Sequence, residues 1–143
     1  MGSCFMFGHA SCTEAILPSL EQAIEDCYSI GIRSFYVGNR GRFDSLAAAA
    51  VKRAKQKHLD IRLFLVLAYH PAERAVNLTD GFDNSFYPPL EGVPRKFVIV
   101  RANRYMIDTA DTIICYVKHI GNSRNMLEYA QQRKKYVRNV AEG

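Results

Sequence analysis

The sequence predicts an α/β domain built on a mainly parallel sheet with helices on both faces. Three observations predict it. Short apolar runs alternate with stretches whose apolar residues recur at helical spacing. One of the runs, IRLFLVLAY at 61–69, is apolar almost throughout, as a strand covered on both faces is. Three junctions between a predicted strand and a predicted helix carry glycine: Gly8-His9, Gly38-Asn39 and Gly121-Asn122.

In chain order, Cys4 to Phe7 reads as a buried strand that ends in the Gly8-His9 turn. From Thr13 the residues Ile16, Leu17, Leu20, Ala23, Ile24 and Cys27 repeat at helical spacing, with Ser11 or Thr13 as N-cap and Gly31 as the stop. Ser34 to Val37 is a second strand. Phe43 to His58 is a second helix, with Asp44 or Ser45 at its start. After the third strand, residues 70–96 carry prolines, glycines and acids with no sustained period, which predicts a long functional loop. A helical segment at 98–108, a strand at 112–117, a helix at 124–134 and a last short strand near 136–140 complete the order. Strands alternating with helices imply right-handed crossovers, and the whole is predicted to be a single Rossmann-like domain over residues 1–143.

Composition narrows the class without naming a partner. Apolar residues make up 48% of the 143 residues and charged residues 23%, ordinary values for a globular chain. No run approaches the roughly eighteen apolar residues of a membrane span, and the opening lacks the basic start and long apolar stretch of a secretory signal. A cytoplasmic protein without a membrane partner is expected. The four cysteines fall at no metal-binding spacing and read as reduced thiols, so no metal is expected. A net charge of +5 and a pI near 9.1 favour anionic partners, nucleic acid or a phosphorylated small molecule.

In parallel sheets, ligands bind beyond the carboxyl ends of the strands, and the three glycine turns share that edge. A helix start directs unpaired N–H groups at an anion, so the turns predict a phosphate or ribose site. Glycine and asparagine also serve simply to reverse a chain, and both readings stand at this point. No Walker loop or full dinucleotide fingerprint accompanies the turns.

Several strings together resemble one family. CFMFGHA is similar to the CFxGHR opening of the YpsA-like branch of the SLOG superfamily, which also contains the LOG phosphoribohydrolases and the DprA-type DNA-processing proteins. FYVGNRGRFDSLAAAAVKRAK resembles that branch's glycine turn and second helix, and LVLAYHP the strand after it. VRANRYMIDTADTIICYV and GNSRNMLEYAQQRKK resemble its later elements, in order, from Cys4 to Val140. The resemblance implies a Rossmann-like domain that recognises a nucleotide-derived molecule. Within the superfamily, LOG enzymes cleave the N-glycosidic bond of nucleoside monophosphates, other SLOG domains sense NAD-derived signals in Thoeris antiphage defence, and DprA relatives bind single-stranded DNA. The chain departs from the pattern at Ala10, where the family has arginine, at Asn122 for a glycine and at Met126 for a threonine. It also lacks the PGGxGTxxE motif of LOG hydrolases.

For a phosphorylated ligand, the motifs point to Arg101, Arg104 and Arg124 as cations and to Gly121, Asn122 and Ser123 as a backbone cradle. Gly8 belongs to the first turn. Gly38 and Asn39 would approach the ribose or a second phosphate. Asp44 reads equally as a ribose acceptor or a helix-start residue. Tyr69 is a base-stacking or a core tyrosine, His9 a ligand contact, an acid–base group or a structural residue, and Asn103 a contact on the third helix. No catalytic residue is assigned; for an enzyme the carboxylates are Glu128 and Asp44. No cofactor is expected. The favoured function is binding of an ADP-ribose-, NAD-derived or cyclic nucleotide signal as sensor or sequestering protein, in antiphage signalling or its counter-defence. The alternatives are a LOG-like nucleotide N-glycosidase and single-stranded DNA binding of the DprA kind. Analogy with LOG-like relatives adds a homo-oligomer, a dimer or larger.

Overall fold

Successive side chains of Cys4-Phe5-Met6-Phe7 point to opposite faces of the first strand, as the two-residue period of a strand requires. All four are buried, at 0–4% exposure. A strand that is apolar on both faces must lie inside a sheet covered on both sides. In the computed structural model, which describes residues 2–142, this strand, β1 (Gly2–Gly8), lies between β2 (Ile32–Val37) and β5 (Thr112–Tyr116). The sheet continues through β3 (Arg62–Val66) to β4 (Asn84–Phe86) at one edge, and to β6 (Tyr136–Asn139) at the other. All five pairings are parallel.

One face is covered by α1 (Leu17–Ser29) and α2 (Arg42–Lys57). Cys4 and Met6 of β1 pack there with Leu20, Ile24, Phe43, Ala47 and Val51. The opposite face is covered by α3 (Val98–Thr109) and α4 (Asn122–Gln132), where Phe5 and Phe7 meet Met106, Ile107, Leu127 and Ala130. The fold is thus α/β and Rossmann-like, with helices on both faces. Alanine's high helix propensity suits the run at 47–50, and its small side chain lets α2 lie close to the sheet. The basic Lys55 and Lys57 fall in the last turn of α2, where they complement the helix dipole.

The stretch 70–96 differs from a plain loop, because it contains β4. Backbone bonds at 2.8 Å from Asp83 N–H to Leu63 O and from Leu67 N–H to Phe86 O fasten this strand to β3. The Asp83 carboxylate adds a bond from Leu63 N–H at 2.8 Å and an ion pair with Lys55 Nζ at 2.6 Å. Leu90, Val98, Ala102 and Ala68 then form a third small core beneath the segment. Among the described residues, no helix is long and apolar enough to cross a membrane.

Candidate functional site

Parallel strands end at a common edge, and the carboxyl ends of β1, β2 and β5 here surround a cavity of about 510 Å³. It lies at the point where the chain order of the strands reverses, with β2 on one side of β1 and β5 on the other. The turns after the three strands supply Gly8, His9 and Ser11, then Gly38, Arg40 and Asp44, then His119, Gly121, Asn122 and Ser123. Ile99, Asn103 and Met126 close it from α3 and α4.

The three turns, alike in sequence, have different occupants. A Cβ on Gly8 would lie 2.6 Å from Phe43 Cγ, so the missing side chain makes room for the core of α2. His9, 6% exposed, accepts bonds at Nε2 from the backbone N–H groups of Lys118 at 2.8 Å and His119 at 3.3 Å. An acceptor Nε2 fixes the neutral ring with its proton on Nδ1. Burial lowers the pKa of His9, and the His119 and Arg124 charges lower it further. The His119 ring stacks on it at 3.7 Å. His9 therefore ties the end of β1 to the loop that follows β5, and that loop carries Gly121.

The second turn is filled from within. The Asp44 carboxylate accepts the Arg40 N–H at 2.9 Å, and a Cβ on Gly38 would lie 3.1 Å from the same oxygen. Ala10 O accepts the Arg42 N–H at 2.8 Å, and Ala10 occupies the space that a side chain on Gly41 would take. The helix-start role of Asp44 is present, and burial raises its pKa against the opposing Arg40 backbone bond and charge. Its second oxygen has no hydrogen-bond partner among the described residues. Carboxylate and carbonyl together leave the start of α2 poorly suited to an anion.

The third turn is open. Gly121 has φ 155° and ψ −169°, a region that essentially only glycine occupies, and no atom lies within 4 Å of where its Cβ would be. No side chain caps α4, so its first N–H groups keep their hydrogen-bonding capacity. Ser123 lines the cavity beside them at 8% exposure. Arg124, in the same first turn, has its Nε shielded from solvent and without a hydrogen-bond partner among the described residues. It forms no ion pair among them either.

The remaining expected residues divide between two places. Asn103 faces the cavity, whereas Arg101 and Arg104 are exposed and do not line it. Arg104 instead lies 5.0 Å from the Tyr129 ring centroid. Asn39 and Tyr69 line a neighbouring cavity beyond β3, and the Arg74 guanidinium sits 3.9 Å from the Tyr69 ring centroid, where a base was expected to stack. Glu128 is exposed on α4 and lines neither cavity. Arg40, Arg74 and His119 were not singled out as ligand residues in the sequence. For Arg40 and His119 the signal was their place within three residues of a glycine turn.

Comparison with family models and with curated proteins finds no match. Among solved structures, the fold is similar to that of DNA processing protein A (DprA) from Streptococcus pneumoniae, with a TM-score of 0.68 and 18% identity over 95% of this chain. The likeness covers 49% of that protein, so this chain spans about half its length. It shows a shared Rossmann-like, DprA-like fold.

Proposed function

We propose that this chain binds a nucleotide-derived small molecule through a phosphate at the start of α4, as a sensor or sequestering protein. The observation that carries the reading is the uncapped helix start, whose half-buried Arg124 forms no ion pair among the described residues. A shielded polar group without a partner is costly, and an anion seated at Gly121-Asn122-Ser123 would supply the missing charge. The DprA-like fold and the ordered series of similar strings support a place in the SLOG superfamily, and the CFMFGHA opening supports its YpsA-like branch.

Turnover has less support. Cleavage of an N-glycosidic bond calls for an acid or base positioned at the reacting atoms. Among the described residues, Asp44 is the one acid lining this cavity, and one of its oxygens is engaged by Arg40 N–H. Nucleic acid is a second reading, favoured by the exposed stripe Phe97, Val100, Arg101 and Arg104 on and before α3, together with the fold of a DNA-processing protein.

The test is to incubate the purified protein with AMP, NAD, ADP-ribose and cyclic ADP-ribose isomers, remove free compound, denature, and identify the released molecules by mass spectrometry. Intact compound near one equivalent is the expected result. Free base and ribose phosphate beyond one equivalent would instead establish the glycosidase. Release of no compound, with salt-sensitive binding to a labelled DNA single strand, would favour nucleic acid.

A further inference from the structure

Between the end of β5 and the start of α4 the chain passes through Lys118, His119 and Ile120, all three exposed. Val117, just before them, is held from β6: Asn139 Oδ1 accepts its N–H at 3.1 Å, and Asn139 Nδ2 donates to its carbonyl at 2.9 Å. Beyond that point, among the described residues, the hydrogen bonds that join 118–120 to the rest of the domain are the two from Lys118 N–H and His119 N–H to His9 Nε2. Ile120, at 89% exposure, gives the loop no buried anchor. Gly121, Asn122 and Ser123 come next, so the ring that holds this loop also aims the first N–H groups of α4.

Both bonds need a lone pair on Nε2. A proton there turns the acceptor into a donor that faces two donors, and both bonds are lost. The ionisable groups around the ring do nothing to favour that proton. His119 stacks on one face, and its charge and that of Arg124 on α4 oppose a charge on His9. Tyr116 of β5 meets the ring at its edge, and Asp44, the acid on the cavity lining among the described residues, is bonded to Arg40 N–H. The closed loop therefore resists protonation of His9, whereas a ring freed into water takes up its proton near pH 6.5. Linkage then raises the open-to-closed ratio as pH falls, by up to about tenfold per unit below that value.

We infer that His9 is a positioning residue for the start of α4 and that its protonation releases the loop at 118–121. The consequence runs against simple electrostatics. Acid adds positive charge to histidines and would tighten an anion held by charge alone. Release of the loop disperses the N–H groups of the first turn, and the anion is held less tightly. The effect on a ligand rests on the proposed phosphate site, whereas the release of the loop does not.

The experiment begins with the ligand-free chain and follows, by NMR between pH 7.5 and 5, the His9 ring titration and the exchange protection factors of the Lys118 and His119 N–H groups. Protection should be level above about pH 6.5 and fall below it, by up to about tenfold per unit, until the His9 ring is protonated. In His9→Gln, whose amide oxygen accepts hydrogen bonds without titrating, the pH dependence should vanish, and in His119→Gln it should persist. Adenosine 5′-sulfate, whose sulfate keeps one charge across this range, should bind the natural chain more weakly at pH 5 than at pH 7.5. Protection that stays level while the His9 ring gains its proton would overturn the inference in the natural chain alone. A fall that survives in His9→Gln, or tighter binding of the sulfate ester in acid, would also overturn it. Protection that follows His9 in a chain that binds no sulfate ester would uphold the loop release and remove the phosphate site.

Discussion

Replacing Gly121 with alanine separates backbone geometry from packing, because the space around its Cβ position is empty. The cost then arises from the backbone alone. At φ 155° and ψ −169° an L-residue incurs about 1–3 kcal/mol of strain. A chain of 143 residues shifts its thermal midpoint by roughly 3 °C per kcal/mol, so Gly121→Ala should melt about 3–9 °C lower. Relief of that strain would rotate the N–H groups at the start of α4, and AMP affinity should fall with the midpoint. Gly8→Ala provides the contrast. Its Cβ would press on Phe43, and overpacking of this kind costs about 1–3 kcal/mol, with no direct change at the proposed phosphate site at the start of α4. Calorimetric melting and AMP titration of both variants make the measurement. A Gly121→Ala protein that melts and binds like the natural chain would refute the argument, because the third turn would then be no more constrained than an ordinary loop.

Arg124→Met removes a half-buried guanidinium whose Nε has no hydrogen-bond partner among the described residues. It should leave the ligand-free protein as stable or slightly more so, while AMP affinity falls about 10- to 100-fold, the range for losing a charged hydrogen bond. Parallel melting and titration check both halves. His9 binds its proton less readily when folded than unfolded, so the unfolded chain takes up more protons as pH falls below about 6.5. Its contribution to stability is complete above that value and is lost as pH falls through the lowered folded pKa. Thermal midpoints between pH 5 and 8 should rise with pH in the natural chain and flatten over this window in His9→Gln. Asp44→Ala loses the bond to Arg40 N–H and should cost about 0.5–2 kcal/mol by denaturant unfolding, whereas Asp44→Asn keeps an acceptor and should cost less. Glu128→Gln, altered on an exposed face of α4, should leave ligand recovery unchanged in the mass-spectrometric assay.

Element order was readable because it follows from periodicity, and the unbroken apolar run Cys4–Phe7 already reads as a buried strand. Strand β4 was not readable. Asn84, Ser85 and Phe86 have little strand character of their own, and their conformation is imposed by the free edge of β3 and by the bonds of Asp83 to Leu63 and Lys55. The last helix was expected at 124–134 and runs from Asn122 to Gln132. That shift matters, because it places Asn122 and Ser123 inside the first turn of α4. At the site, the shared edge of the three turns followed from topology. Which turn remains open did not, because it depends on distant partners: Phe43 fills the space at Gly8, and Ala10 that at Gly41. Arg101 and Arg104 fall outside the lining of this cavity for a related reason. The run Val98-Ile99-Val100 is apolar on more than one side, so the sequence leaves open which face of α3 meets the cavity.

Among the six strands of the sheet, the inner strand β1 precedes the other five in chain order. Cys4 of β1 pairs with Thr112 of β5, 108 positions later, while its other neighbour, Phe35 of β2, is available far sooner. Pairing across such a span is slow, because the entropy of closing the loop must be overcome before any contact rewards it. On the ribosome, a nascent chain can assemble β1, β2, α1 and α2 and still have one side of its middle strand bare, with Phe5 and Phe7 uncovered. Gly8 to Ser11 must also wait for Gly121 and Ser123 to emerge before the cavity at this edge exists. The cavity is therefore completed only when the turn after β5 is in place, and until then the far face of β1 has no cover of its own.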